Sequence, residues 1–297
     1  MLFRSFRLEA VPGTQFQRYT ASWREPFLLD SPYSLGLSAY YYTRNFLEYD
    51  ESRVGGRITL GRKLNQFWSV NGTVRIEEVD VFNVQPYEPI EIQRDSGSHF
   101  QVGTRLGFTR DTRDSYLRPT TGSLIDFGAE EVFGDFTFPL LTAEGTKFWT
   151  VAERPDGSGK QVLALHSQVS YAGSNTPVYE RFYAGGFRSI RGFSFRGVGP
   201  HVLDFNVGGD FAWLNSLEYQ YPLMANDNLF FVAFLDTGTV ERSVEIRDYR
   251  VTAGAGLRIA VPQLLGPVPI ALDFGFPLNQ GPGDKRQIFS FWLGFFN

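Results

Sequence analysis

The stretch GGDFAWLNSLEYQY, Gly208 to Tyr221, decides the fold. Phe211, Trp213, Leu217, Tyr219 and Tyr221 share one side of an extended chain, and Asp210, Ser216, Glu218 and Gln220 share the other. That is the period of two of a β-strand. A strand with one aromatic and aliphatic face and one polar face suits a wall between lipid and a wet lumen. Glu218 therefore points into the lumen. Working downstream, Phe231, Ala233 and Leu235 oppose Phe230, Val232, Phe234 and Asp236, and the cost of a carboxylate in lipid puts Asp236 inside. Tyr249, Val251, Ala253, Ala255, Leu257 and Ile259 oppose Arg250, Thr252 and Arg258. Val268, Ile270, Leu272, Phe274 and Phe276 oppose Ala271, Asp273 and Gly275, and Phe289, Phe291, Leu293 and Phe295 face outward on the last strand.

Upstream the same alternation yields nine more candidates: Leu2 to Ala10, Phe16 to Phe27, Leu35 to Tyr41, Val54 to Leu60, Trp68 to Glu77, Phe100 to Thr109, Ile125 to Glu130, Leu140 to Val151 and Leu163 to Tyr171. With Glu144 and Lys147 on opposite faces, Leu140 to Val151 alternates least well. The total is fourteen. The prolines at 86 and 89 make Asp80 to Ser98 a long loop. The connections after odd-numbered candidates include Asp80 to Ser98 and the stretch from Ser174 to Val207, and those after even-numbered candidates are mostly short, the pattern of an outer-membrane barrel with long outer loops and short inner turns. An even count puts both termini on the periplasmic side. Open edges in lipid would leave backbone donors unpaired, so the strands must close on themselves, on a partner, or on strands not present here.

Composition agrees. The chain of 297 residues carries 29 Phe, 14 Tyr and 5 Trp, enough for interfacial girdles, while mean hydropathy stays at −0.19. No run approaches the ~18 apolar residues of a transmembrane helix. A soluble β-sandwich would turn a polar face outward, whereas here the uniform face is apolar in strand after strand. The absence of cysteine removes disulfides, thiolate metal sites and thiol catalysis. A formal charge of −4 gives no basic field, so nucleic acid is not an expected partner. The N-terminus lacks the apolar core of a secretory signal; either a leader was removed or the chain begins downstream of its natural start.

One stretch breaks the alternation: RFYAGGFRSIRGFSF, Arg181 to Phe195. Gly185, Gly186 and Gly192 allow positive φ or close approach to another surface, and Arg188 and Arg191 bring guanidiniums that seek carboxylates. It reads as part of a loop, about residues 174–207, folded inward against the wall, with Glu218 and Asp236 as carboxylate partners. Spacing alone fits equally well a porin constriction in which Arg188 and Arg191 tune ion selectivity. No catalytic constellation emerges. His99, His166 and His201 lack metal-ligand spacing, Gly157-Ser158-Gly159 is not a nucleophile elbow, and GAGLRI at 254–259 is half a dinucleotide fingerprint inside a strand. Neither a cofactor, a metal nor an enzymatic activity is expected.

Several segments resemble, in order, those of the BamA/TamA-type outer-membrane assembly superfamily, also called the bacterial surface antigen family: WREPF at 23–27, DTRDSYLRPTTGS at 111–123, GGFRSIRGF at 185–193, GGDFAWLNSLEYQYPL at 208–223, FLDTGTV at 234–240, and AGAGLRI followed by GPVPIALDFGFPL. The resemblance implies an all-β transmembrane antiparallel β-barrel, with about 14 strands visible of the family's sixteen. It also implies an inward loop whose Arg191-Gly192-Phe193 core pairs with Asp236 of the strand motif Phe234-x-Asp236-x-Gly238 and lies near Glu218. A charge-assisted bidentate pair would act as the loop's latch. By the same resemblance, the chain would insert or translocate β-barrel polypeptides through a lateral gate in the bacterial outer membrane. Expected partners are outer-membrane lipids, unfolded barrel substrates and periplasmic POTRA-bearing or lipoprotein subunits. The family also includes two-partner-secretion transporters, so secretion of one dedicated substrate is an alternative, as is a passive channel. The α/β repeats of POTRA domains are not seen, so residues 1–297 read as barrel alone.

Overall fold

The alternating segments become strands, and the computed structural model describes residues 4–224, 228–260 and 269–293. In chain order these are β1 (Ser5–Val11), β2 (Phe16–Glu25), β3 (Tyr33–Asn45), β4 (Asp50–Lys63), β5 (Trp68–Phe82), β6 (Gly97–Asp111), β7 (Gly122–Gly134), β8 (Phe138–Ala152) and β9 (Gln161–Ala172). The short β10 (Gly192–Phe193), β11 (His201–Val202) and β12 (Phe205–Asn206) follow, then β13 (Phe211–Pro222), β14 (Leu229–Glu241), β15 (Arg250–Ala260), β16 (Pro269–Pro277), β17 (Arg286–Gln287) and β18 (Phe289–Leu293). Fourteen of them, β1 to β9, β13 to β16 and β18, form one antiparallel sheet in sequence order. This is the wall of a transmembrane β-barrel. Most of its strands exceed the roughly 9–11 tilted residues that cross a bilayer. Leu2, where the first candidate strand begins, and Val268 and Phe295, assigned above to outward faces, lie outside the described residues.

Short polar side chains close the tight turns. Asn65 Oδ1 accepts from the backbone of Phe67 and Trp68 at 2.9 Å each between β4 and β5. Asp114 accepts from the Thr120 and Thr121 amides at 2.8 and 3.1 Å, which explains the aspartate and threonines of DTRDSYLRPTTGS as turn chemistry.

Two compact units divide the chain, Met1–Arg110 with Asp126–Thr142 and Tyr171–Arg181, and Asp111–Ile125 with Ala143–Ser170 and Phe182–Asn297. In the first, β5 runs past the strand predicted to end at Glu77. Arg75, Glu77, Val79 and Val81 are all buried on its inner face. The outward residues there turn polar, Glu78 and Asp80, so a search for an apolar outer face stops too early. The loop expected over Asp80 to Ser98 is correspondingly shorter and holds a helical turn, α1 (Ile90–Arg94), started by Pro89. In the second unit the alternation is clean. On β14, Phe231 and Leu235 are exposed while Val232, Phe234 and Asp236 are buried. On β18, Phe289, Phe291 and Leu293 are exposed and Ser290 and Trp292 buried.

This orientation has a measurable consequence. Leu235, at the middle of β14 and 40 % exposed, faces lipid. Leu235→Arg is expected to lower folding stability in bilayers by about 2–4 kcal/mol, and by less if the position sits nearer an interface. Denaturant titration of refolding into lipid vesicles reads it, and a loss below ~0.5 kcal/mol would contradict the outward assignment.

Candidate functional site

Between β9 and β13 the chain builds its own small core. Ala184, Ile190, Phe193 and Val198 of the connection pack with Ala212 and Leu214 of β13 and Val240 of β14, all buried. The connection is tied down by its backbone as well. Phe182 and Gly209 exchange amide-to-carbonyl bonds of 2.9 Å, Ala184 and Val198 exchange bonds of 3.1 and 2.9 Å, and β10 pairs with β17. Gly185 and Gly186 take φ of +104° and +91° here, and the Gly186 amide donates to the Phe193 carbonyl. Arg188, grouped with Arg191 in the sequence, is not among the side chains around Asp236; its guanidinium lies 5.9 Å from the centre of the Phe187 ring. That ring in turn stacks on Trp292 of β18 at 5.2 Å.

Arg191 is completely buried. Its Nε and Nη2 donate to the two carboxylate oxygens of Asp236, both at 2.8 Å, and its backbone amide donates to Asp236 Oδ2 at 3.0 Å. Nη1 donates to Glu218 Oε2 at 2.8 Å and lies 3.5 Å from Asp273 Oδ2. The Phe234 ring lies 3.4 Å from the guanidinium carbon, a cation–π contact in which a buried ring replaces water on one face. Phe234 reaches this position over Gly254, where a Cβ would come within 2.3 Å of its ring. Gly238 lets β14 approach Leu214, whose Cδ2 would be 2.8 Å from an added Cβ.

Four participants, Asp273, Arg258, Ser216 and Gly275, were on the inner face by parity but were not singled out. Arg258 donates to Asp273 Oδ1 at 2.6 Å and to Glu218 Oε2 at 3.3 Å, closing a circuit of two guanidiniums and three carboxylates. Ser216 donates to Asp236 Oδ1 at 2.7 Å and accepts from Arg191 Nη2 at 3.2 Å. Gly275 on β16 faces Gly192, and here loop backbone and wall backbone touch. A Cβ on Gly275 would stand 2.6 Å from the Gly192 amide nitrogen, and one on Gly192 would stand 2.9 Å from the Gly275 carbonyl oxygen. With its φ of +91°, Gly192 also occupies a conformation that side chains disfavour. Charge alone could be guessed from the sequence; this glycine-to-glycine approach depends on register across four strands.

The fold and this site define a class, a membrane β-barrel with an arginine-bearing loop buried in its lumen. The Omp85 superfamily domain matches residues 4–297, and the chain belongs to that superfamily. The chain is 26 % identical over 299 residues to the outer membrane protein assembly factor BamA of Nitratidesulfovibrio vulgaris, an alignment covering 97 % of this chain and 37 % of that protein. It is 23 % identical to the BamA of Neisseria meningitidis serogroup B, over 92 % of this chain and 40 % of that one. The crystal structure of Haemophilus ducreyi BamA lacking POTRA domains 1–3 superposes with a TM-score of 0.85 at 18 % identity, covering 98 % of this chain and 64 % of that one. The chain thus spans about two-fifths of the length of the curated relatives it matches. Family and fold together identify a β-barrel of the bacterial outer membrane.

Replacing Gly275 with valine is expected to push Gly192 off the wall and raise protease sensitivity of the 182–198 segment while the barrel stays folded. Limited proteolysis followed by mass spectrometry checks it, and a fragment pattern identical to wild type would show that the close approach is dispensable. Arg191→Ala leaves Asp236 and Glu218 buried without the guanidinium bonds to both, so loop docking is expected to weaken by up to about 3–5 kcal/mol. Arg191→Lys keeps the charge but loses the bidentate fork, and its loss should lie between.

Proposed function

We propose that this chain is the barrel of an outer-membrane assembly factor. Its activity is non-enzymatic: it lowers the barrier for other β-barrel polypeptides to enter the membrane. The observation that carries the reading is a family match along essentially the whole barrel, together with a relative whose name states that activity and which aligns over 97 % of this chain. The first and last strands of the barrel form a lateral gate, where an incoming strand pairs with an exposed edge by β-augmentation. Arg191, Gly192 and Phe193 with Asp236 and Glu218 act as the latch that fixes the loop beside the wall; Gly185 and Gly186 shape its turn, and Phe234 and Gly238 shape the receptacle. Residues 1–297 act as one barrel domain, with the loop of about residues 174–207 in its lumen and both termini periplasmic. Partners are unfolded barrel proteins, the surrounding lipids, and periplasmic POTRA-bearing or lipoprotein subunits.

Depletion of the protein is expected to lower the abundance of other outer-membrane barrels severalfold, and a copy carrying Arg191→Ala is expected to restore them only in part. Quantitative proteomics of the outer membrane provides the measurement. Normal barrel levels with one missing exported protein would assign a dedicated secretion role instead. A large steady conductance, unaltered by Arg191→Ala, would assign a passive channel.

A further inference from the structure

The sequence directs attention to two arginines of the β9–β13 connection, Arg188 and Arg191. Glu180, in the same connection, sits in a receptacle as well built as that of Arg191. Its carboxylate accepts from Arg53 Nη1, from Arg75 Nη2 at 3.2 Å and from Gln101 Nε2 at 3.0 Å, and its side chain is 9 % exposed. These donors come from the inner faces of β4, β5 and β6 in turn. Neighbouring backbone is held as well. The Tyr179 carbonyl accepts from Arg53 Nη2 at 2.8 Å, and the Val178 amide donates to Asp95 Oδ2 at 2.7 Å. The Tyr179 ring stacks on His99 at 6.2 Å and meets Phe136 edge-on at 6.4 Å. Three consecutive residues in no strand are thus fixed by backbone, ring and charge.

We infer that Glu180 is a second anchor of the lumenal loop, a carboxylate held by a wall of guanidiniums, separate from the Arg191 latch and opposite to it in polarity. The inference rests on the reading that this connection is a docked loop. The two receptacles also differ in how they fare when empty. Without Arg191, Arg258 still pairs with Glu218 and Asp273, while Asp236 keeps only the Ser216 hydroxyl and the backbone amide of residue 191 among its described partners. Without Glu180, Arg53 and Arg75 still pair with Glu51, Glu77 and Glu130. An arginine pair that keeps its partners lets go of a carboxylate at lower cost than a carboxylate cluster lets go of an arginine. The 178–180 anchor is therefore the weaker of the two and opens first.

Charge supplies an internal check. Burial alone would push the Glu180 carboxyl up, but Arg53 and Arg75, with hydrogen bonds from Arg75 and Gln101, bring it down from 4.5 to about 2. A depressed carboxyl contributes its full stabilisation above its unfolded value and loses it as pH falls toward the folded one. The anchor should therefore hold above pH 4.5 and release between 4.5 and about 2. The other charged or titratable groups packed around residues 178–180 include Glu51 and Arg53 on β4, Arg75 and Glu77 on β5, His99 on β6, Glu130 on β7, Asp95 and Asp135 beside these strands, and Tyr42 and Tyr179. The difference between wild type and Glu180→Gln isolates Glu180 from these neighbours.

The chain contains no cysteine, so single reporters are unambiguous. Val178→Cys and Ile190→Cys, both at positions that are 0 % exposed, place one thiol beside each anchor. In the full chain, folded in bilayers and checked by its heat-dependent gel mobility, labelling by a hydrophilic maleimide measures local opening. Glu180→Gln is expected to speed labelling at 178 by about tenfold or more and to leave 190 within about twofold, with Arg191→Ala doing the converse. The acid-induced rise at 178 should be smaller in Glu180→Gln. Unchanged labelling at 178, equal acceleration at both positions, or an identical acid profile would each overturn the second anchor. Failure of Arg191→Ala to affect 190 would overturn the latch and leave Glu180 untouched. Glu180→Asp, which keeps charge but shortens reach, should fall between wild type and glutamine.

Discussion

A guanidinium with no exposed surface is the constraint on which the loop and its receptacle depend. Moving an unpaired cation of that size out of water costs several kcal/mol, a large part of a protein's whole stability, so Arg191 is tolerable only where compensation is complete. Asp236 supplies it bidentately, Glu218 adds a third charge-assisted bond, and Phe234 covers one face of the plane. Each of these has requirements of its own. Asp236 needs the Ser216 hydroxyl, Glu218 needs Arg258 and the Gln220 amide, and Phe234 needs a glycine beneath it. Gly192 and Gly275 follow from the same constraint, since bonds of 2.8 Å from an arginine to the wall cannot form unless the loop backbone comes down onto β16.

Parity explains why such a site sits where it does. A strand that crosses lipid has one face on which charge is forbidden and one on which it is free, so carboxylates and guanidiniums concentrate inside. Once inside they are neighbours across strands at fixed intervals. Asp236 stands opposite Ser216 on one side and Thr252 on the other, and Gly256 opposite Asp273. The arginines of β4 and β5 arise the same way, as inward residues on adjacent strands, and both receptacles are by-products of the alternation that makes the wall.

The same reasoning marks how far the sequence could be read. All fourteen wall strands were legible because each repeats one simple rule over many residues. Parity placed the carboxylates of Asp236 and Glu218 on inward faces, but the choice of Arg191 over Arg188 as their partner came from the resemblance of GGFRSIRGF to the family loop, since spacing alone offered both arginines. Asp273 and Arg258 satisfied the inward rule too, but parity gives a face and not a height, so nothing ranked them above Thr252 or Asp210. Val79 and Val81 were missed because the outer face of β5 becomes polar beyond Glu77, and the rule that identified the strand is reversed there. Glu180 left no trace at all. It lies outside any alternating segment, and its partners are separated from it by 79 to 127 positions.

Opposite polarity at the two anchors carries one more consequence. A long loop with two hydrogen-bonding hooks can dock in the wrong register, each hook in the other's place, at little cost if the hooks are alike. Here they are not. A carboxylate at 180 and a guanidinium at 191 make the exchanged arrangement set Arg191 against Arg53 and Arg75, and Glu180 against Glu218 and Asp236. Like charges at such distances in a poorly hydrated interior repel by several kcal/mol. Discrimination thus comes from penalising the wrong placement as much as from rewarding the right one. The glycines permit the loop's path, the apolar cluster around Phe193 favours its burial, and the charges leave it one register.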